Sequence, residues 1–145
     1  MPPKAVCLMV KVYLDSNVFI SAINQEIGFS FRGLFVEAEN FFFRLAQRKD
    51  ILVISKHCLN EINLVLSCSK EDVLDYFEKN MVITEFCDEP KTINFSKYSK
   101  TCAHFKDSLH VAIAIHFKCD CIVTFNIKDF LNARKVIDVF TPGDY

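Results

Sequence analysis

Residues 11–20 read KVYLDSNVFI, in which an aspartate separates a short apolar run from a second apolar run. The β-branched and aromatic residues of Lys11–Leu14 predict a strand. The residues from Asn17 to Asn24 predict a helix that begins almost directly after Asp15. A strand that leads at once into a helix is typical of a βαβ unit, so this stretch favours an α/β fold.

The rest of the chain repeats this alternation of short β-branched runs and longer amphipathic runs. Further strands are predicted at Ile51–Ile54, Met81–Thr84, Cys121–Thr124 and, as a short fifth strand, Val136–Val139. After an interruption at Gly28, helices are predicted from about Phe31 to Arg48, from the N-cap Ser55 to about Leu66, from Ser69 to about Asn80, and from Phe105 to Phe117. The segment from Glu89 to Tyr98 is predicted to be a helix start or irregular. The predicted fold is therefore a three-layer α/β/α arrangement around a parallel sheet of four to five strands.

The composition predicts one domain over residues 1–145. The chain has three glycines and four prolines, with no low-complexity linker and no internal repeat. Hydrophobic residues make up 51% of the chain and the mean hydropathy is +0.19, an excess that predicts apolar surface buried against a partner chain. No apolar run approaches about 18 residues, so no membrane span is expected.

The net charge and the cysteines bear on nucleic-acid binding and on the redox compartment of the protein. The formal net charge is −1 and the pI is about 6.4, unlike the strongly basic balance of a non-specific nucleic-acid binder. Any binding of RNA would therefore depend on a local basic patch or on bound metal ions. The seven cysteines are scattered, and several lie in apolar runs, which favours free thiols in a reducing cytoplasm over a disulfide framework.

Acidic and amide side chains gather where the predicted strands end. Asp15 follows the first strand directly, and Asn126 and Asp129 follow the fourth. Glu61 and Asp107 lie on helices that can face the same edge of the sheet. Ligands bind beyond the carboxyl ends of strands in an open parallel sheet, and crowded carboxylates need a cation to neutralise them. The pattern therefore predicts a site for a hard divalent ion such as Mg²⁺ or Mn²⁺.

Four motifs, in this order, resemble the PIN-domain family. They are the strand, aspartate and helix of residues 11–20; HCLNEI around Glu61; KDSLHVAIA, which begins beside Asp107 and is similar to the family's D-x-x-h-x-x-A helix; and IVTFNIKDF, which is similar to its T-x-N-x-x-D-F box. Each motif is weak alone, but the ordered set covers residues 11–130 and is fairly specific.

The resemblance implies a Mg²⁺- or Mn²⁺-dependent ribonuclease, similar to toxins of the VapC type, with RNA as substrate and an antitoxin protein as a partner. A homodimer is expected from the excess of phenylalanine. It implies that Asp15, Glu61 and Asp107 are metal carboxylates and that Glu61 either binds the ion or orients the attacking water. The family's fourth acid often falls at the position of Asn126. Two alternatives follow. Asp129 substitutes for this acid, so that one or two ions bind, or the site has three carboxylates.

Short polar residues near these acids are expected to orient the carboxylates or to bind metal-coordinated water. They are Ser16, Asn17, Thr124 and Asn126. The histidines His57, His104, His110 and His116 are interpreted as packing or surface residues. The phenylalanines around Phe41–Phe43 are interpreted mainly as core, and part of that stretch as a surface for a partner chain.

Two other classes of function give different expectations. A non-catalytic PIN-like module that binds RNA or protein is favoured by the amide at Asn126. A phospho-accepting receiver domain needs paired acids after its first strand and a lysine after its last, whereas only Asp15 follows the first strand here. A Rossmann cofactor enzyme is disfavoured because the chain has no glycine-rich phosphate loop.

Overall fold

The centre of the fold is a sheet of five parallel strands. The computed structural model describes residues 9–25, 33–88, 93, 95–102 and 104–145. Its strands are β1 (Lys11–Leu14), β2 (Ile51–Ser55), β3 (Ile83–Cys87), β4 (Cys121–Val123) and β5 (Asp138–Phe140). Their order across the sheet is β3-β2-β1-β4-β5, which places β1 in the middle, between β2 and β4.

Within the described residues, five helices connect and cover these strands. They are α1 (Ser16–Ile23), α2 (Leu34–Arg48), α3 (Lys56–Leu66), α4 (Lys70–Lys79) and α5 (Phe105–His116), and short 3₁₀ turns occupy Phe95–Tyr98, Ile127–Phe130 and Asn132–Lys135. The predicted three-layer α/β/α class with a parallel sheet is confirmed.

Alternate residues of the central strands enter two hydrophobic clusters, one on each face of the sheet. On β1, Val12 and Leu14 join a cluster that includes Phe19 of α1, Phe41 of α2, Ile62 of α3 and Phe77 of α4. Tyr13, which points to the other face, joins a cluster formed largely by α5 and the C-terminal turns. Because helices cover both faces, the strands read as continuous apolar runs rather than as alternating ones.

The polar caps of α3 and α4 explain where these two helices begin. Ser55, at the end of β2, accepts a hydrogen bond from the backbone N–H of Cys58 at 3.0 Å. Ser69 and Asp72 form a reciprocal capping box, with bonds of 3.1 and 2.9 Å. Such caps satisfy N–H groups that lack partners within the helix, so the sequence signal at both serines was read correctly.

Two predicted strands begin later than the sequence indicated, because the preceding turn holds their first residues. Met81–Thr84 was predicted as the third strand, but Met81 has a left-handed backbone (φ 63°), and Val82 donates to the carbonyl of Phe77 at 2.9 Å. Val136–Val139 was predicted as the fifth, but Val136 and Ile137 both donate to the carbonyl of Ala133 at 3.0 Å. The strands therefore begin at Ile83 and Asp138.

The phenylalanine-rich stretch divides between core and surface. Phe41 and Phe42 are buried, as predicted, whereas the side chain of Phe43 is 62% exposed. The predicted interruption at Gly28, with Phe29 and Phe31, lies outside the described residues. The stretch from Glu89 to Tyr98 was predicted to be a helix start or irregular; residues 89–92 and 94 lie outside the described residues, and Phe95–Tyr98 forms a 3₁₀ turn. No helix in the described part of the chain combines the length and apolar character needed to cross a membrane.

Candidate functional site

Asp15 lies at the carboxyl end of β1, the central strand. Its backbone N–H donates to the carbonyl of Val123 at 3.1 Å, which fixes it against the end of β4. Its side chain is only 4% exposed. The carboxylate atom Oδ2 accepts hydrogen bonds from Thr124 Oγ1 at 2.7 Å and from Asn17 Nδ2 at 3.3 Å. These contacts orient a buried carboxylate that would otherwise be costly to desolvate.

Thr124 and Asn17 form a small network that joins the ends of β1 and β4. Asn17 Nδ2 also donates to Thr124 Oγ1 at 3.2 Å, and its Oδ1 accepts from the backbone N–H of Phe125 at 3.2 Å. The backbone N–H of Asn126 donates to Thr124 Oγ1 at 3.0 Å. The network therefore holds Asp15 from two directions and orders the first residues after β4.

Glu61 extends from α3 toward the same edge of the sheet. Its Oε1 accepts hydrogen bonds from Ser16 Oγ at 3.0 Å and from His110 Nε2 at 2.6 Å. Burial raises the pKa of Glu61, but the hydrogen bond and positive charge of His110 outweigh that effect, with smaller contributions from His57 and Ser16. The net result is a lowered pKa, so Glu61 is ionised at neutral pH.

His110 is completely buried between Glu61 and Asp15. Its Nε2 lies 3.6 Å from Asp15 Oδ1, and its Nδ1 lies 2.5 Å from the hydroxyl of Tyr13. Burial lowers the pKa of His110, but the hydrogen bond to Glu61 and the charges of Asp15, Glu61 and Asp107 raise it more. The pKa is therefore raised, which favours an imidazolium among carboxylates. The sequence analysis interpreted this histidine as a packing or surface residue and missed its bond to Glu61.

Asp107 lies in the first turn of α5 and is half-buried. Burial, the charge of Asp15 and the smaller contributions of Asp129 and Glu61 raise its pKa to about 6, although His110 acts in the opposite direction. Burial is the largest of these effects, and the three other acids that the sequence singled out all add to it, so each lies within electrostatic range of Asp107.

Asp129 and Asn126 belong to the segment after β4. The backbone N–H of Asp129 donates to the carbonyl of Asn126 at 3.0 Å, which starts the 3₁₀ turn. The side chain of Asn126 is exposed, whereas that of Asp129 is half-buried. Both residues line a surface cavity of about 470 Å³ together with Phe125, Lys128 and Thr141.

His57 is a second histidine that the sequence analysis did not assign to the site. Its ring packs on the ring of His110, with centroids 4.4 Å apart and planes tilted by 40°. Its Nε2 lies 3.1 Å from the carbonyl oxygen of Lys106. A signal was present in the sequence, because His57 precedes Glu61 by four residues and His110 follows Asp107 by three, spacings that share one helix face.

Comparison with known proteins identifies a family and a similar fold. A family model described as PIN domain matches residues 11–128, most of the chain. A search of curated proteins found no match. Among solved structures, a chain in the crystal structure of VapBC2 from Rickettsia felis bound to a DNA fragment from their promoter has a TM-score of 0.61 and 22% identity, over 90% of this chain and 97% of that one. At this identity the likeness concerns the fold.

Proposed function

Because this chain belongs to the PIN domain family, whose model matches residues 11–128, we propose that it is a metal-dependent endoribonuclease that hydrolyses RNA phosphodiesters. One observation carries the proposal. Carboxylates from three other segments of the chain, Asp15, Glu61 and Asp129, all raise the pKa of Asp107 near the carboxyl edge of the sheet.

The chemistry of this group fits a hard divalent cation. All four acids offer oxygen ligands, which Mg²⁺ and Mn²⁺ prefer. Burial and the charges of the neighbouring carboxylates raise the pKa of Asp107 to about 6, although the charge of His110 acts against them, and a divalent cation would favour the ionised form. We assign Asp15 and Asp107 to the principal ion, with Glu61 and Asp129 as further ligands and Asn126 near a second ion or its water.

The polar neighbours of these acids would act by positioning. Thr124 and Asn17 hold the carboxylate of Asp15, and Ser16 holds that of Glu61. Glu61 would either bind the ion or accept a proton from the attacking water. Bound Mg²⁺ or Mn²⁺ would supply an activated water and stabilise charge on the phosphodiester.

The proposal extends to partners of this chain. The sequence resemblance to toxins of the VapC type and the fold likeness to a chain of VapBC2 support an antitoxin protein as a partner. Exposed apolar side chains such as Phe43 and Leu64 support contact with another chain, including a second copy in a homodimer. Strands from residues 11 to 140 share one sheet, which supports a single domain over residues 1–145.

A non-catalytic module that binds RNA or protein is the second candidate. His110 favours it, because an imidazolium bonded to Glu61 and 3.6 Å from Asp15 compensates two carboxylates without any metal ion. The amide at Asn126 favours it as well, because it brings no charge to the site.

The test is cleavage of a mixed structured RNA by the purified protein with Mn²⁺, with Mg²⁺ and with EDTA. We expect cleavage that needs metal and that falls at least about 100-fold in Asp15→Asn and in Asp107→Asn, because each loses a charged ligand. Asp88→Asn is the matched control, since it makes the same chemical change at an exposed aspartate.

Thermal melting of each variant establishes that it is folded before its activity is compared. No cleavage by the wild-type protein, together with no Mn²⁺ binding by calorimetry, would favour the binding module. Equal cleavage by all three variants and the wild-type protein would overturn the assignment of the site.

A further inference from the structure

Two histidines and Glu61 form a compact group between α3 and α5. One ligand atom from each of His57, Glu61 and His110 can be chosen so that all three lie within 4.8 Å of one another. We propose that this group binds a divalent transition-metal ion of the Zn²⁺ or Co²⁺ type. This goes beyond the Mg²⁺ or Mn²⁺ site proposed above, because two of its three ligands are imidazole nitrogens.

In each ring, the nitrogen that would not bind the metal ion already has a partner, as expected for metal-binding histidines. A carbonyl oxygen can only accept, so His57 Nε2 donates its hydrogen to Lys106, which assigns metal binding to Nδ1 of this ring. His110 Nδ1 contacts the Tyr13 hydroxyl, which lies 2.7 Å from Ser55 Oγ. These contacts therefore fix the orientation of both rings on the side away from the proposed ion.

The remaining atoms suit a shared cation. His110 Nε2 lies 2.6 Å from Glu61 Oε1 with a proton between them. A metal ion bound there takes the place of this proton, which leaves to solvent, so that His110 Nε2 and Glu61 Oε1 both become ligands. Tetrahedral ligand atoms at about 2 Å from Zn²⁺ are roughly 3.4 Å apart, so His110 Nε2 and Glu61 Oε1, which lie 2.6 Å apart, would separate slightly on binding.

Ligand type separates this site from the carboxylate site. Imidazole nitrogens favour Zn²⁺ and other transition ions, whereas carboxylate oxygens alone favour Mg²⁺ and Mn²⁺. Glu61 belongs to both groups, so an ion held by the histidines withdraws this carboxylate from Asp15 and Asp107. The cysteines Cys119 and Cys121 compete poorly as ligands, because burial raises the pKa of each thiol to about 12.

The experiment is titration of the metal-free protein at neutral pH with Co²⁺ alone, followed by visible absorption and calorimetry. We expect one equivalent of Co²⁺ to give the d–d bands of a site with nitrogen ligands. His57→Gln should weaken this binding at least about tenfold, because it removes one ligand from a half-buried position without disturbing the core. His116→Gln is the matched control, since this histidine is exposed on the same helix as His110.

The outcomes separate this site from the proposed nuclease centre. Retention of the Co²⁺ bands in Asp107→Asn, with their loss in His57→Gln, would support an ion held by the histidines whether or not the protein cleaves RNA. Equal Co²⁺ affinity in His57→Gln and the wild-type protein would overturn the proposal. It would also be overturned if the wild-type protein bound no Co²⁺, or if the bands were those of thiolate ligands.

Discussion

Thr124 uses its whole hydrogen-bonding capacity where β1 and β4 end. Its hydroxyl donates to Asp15 and accepts from the side chain of Asn17 and the backbone of Asn126. A hydroxyl has one hydrogen and two acceptor lone pairs, so no further bond is available. This complete pairing explains how the buried Thr124, which directly follows β4, holds the carboxylate of Asp15 in one orientation.

Asp107 gives the prediction that belongs to the scale of one residue. Its folded-state pKa of about 6 exceeds the ordinary value of 3.8, so the folded protein holds this proton more tightly than the unfolded chain does. The stabilisation from the protonated group is complete below the unfolded pKa and is lost as the pH rises through the folded pKa. In metal-free protein, Asp107→Asn should therefore melt at a higher temperature than wild type at about pH 8, and at a similar temperature near about pH 4.

Thermal melting in EDTA across this pH range measures the difference, with Asp88→Asn as the control that should show no such trend. A difference that does not change with pH, or an Asp107→Asn variant that is less stable at the alkaline end, would show that the neighbouring carboxylates do not act on Asp107 as described. Added Mg²⁺ should reduce the advantage of the variant, because it neutralises the same charges.

At the scale of the elements, α3 and α5 face each other across the carboxylate group. The start of α3 is set locally by Ser55, which caps the helix and places Glu61 on its second turn. No side-chain cap bond is found at the start of α5, whose N-cap residue is His104. Tertiary contacts therefore matter more for α5, including the bond from His57 to the carbonyl of Lys106 in its first turn.

The capping box of α4 gives the prediction for a single element. Ser69→Ala removes the hydroxyl that accepts from the backbone of Asp72, so the free energy of unfolding should fall by about 1 kcal/mol. Urea unfolding at fixed pH measures this change. Ser69→Thr keeps the hydroxyl and should remain close to the wild-type stability.

The opposite result for this pair would have a clear meaning. If Ser69→Ala unfolds at the same urea concentration as wild type, α4 is held by the burial of Val73 and Phe77 alone, and the capping box contributes nothing measurable.

At the scale of the whole molecule, the strand order decides which acids can meet. β1 lies between β2 and β4, so Asp15 has the start of α3 on one side and the segment of Asn126 and Asp129 on the other. The last turn of α5 leads into the start of β4, at the end of the sheet opposite its carboxyl edge. The first turn of α5 therefore lies near the carboxyl edge. Parallel strands with helical crossovers bring these segments together without any short-range signal between them.

The assembly of the molecule gives the last prediction. Large apolar side chains are exposed on two helices, among them Val36 and Phe43 on α2 and Leu64 on α3. Because such surface is stabilised by burial against another chain, the purified protein should form a homodimer with a mass of twice 16.7 kDa by light scattering. A mass of one chain at every concentration of a dilution series would contradict this prediction.

The sequence by itself determined the elements and the acids they carry. Periodicity and caps are local properties, so β1, the capped starts of α3 and α4, and the α/β class followed from residues close together in the chain. Asp15, Glu61, Asp107 and Asp129 were identified because parallel topology makes the ends of strands meet. Strand starts at Ile83 and Asp138 were missed, because turn hydrogen bonds compete there with strand propensity.

Only the tertiary structure decided how the acids are paired and what else joins them. His110 is 49 residues from Glu61 and 97 from Tyr13, and no local pattern specifies either contact. Its charge depends on the balance between burial and the carboxylates around it, which exists only after the sheet has formed. The candidate site thus combines acids that the sequence indicates with a buried histidine whose contacts depend on long-range packing.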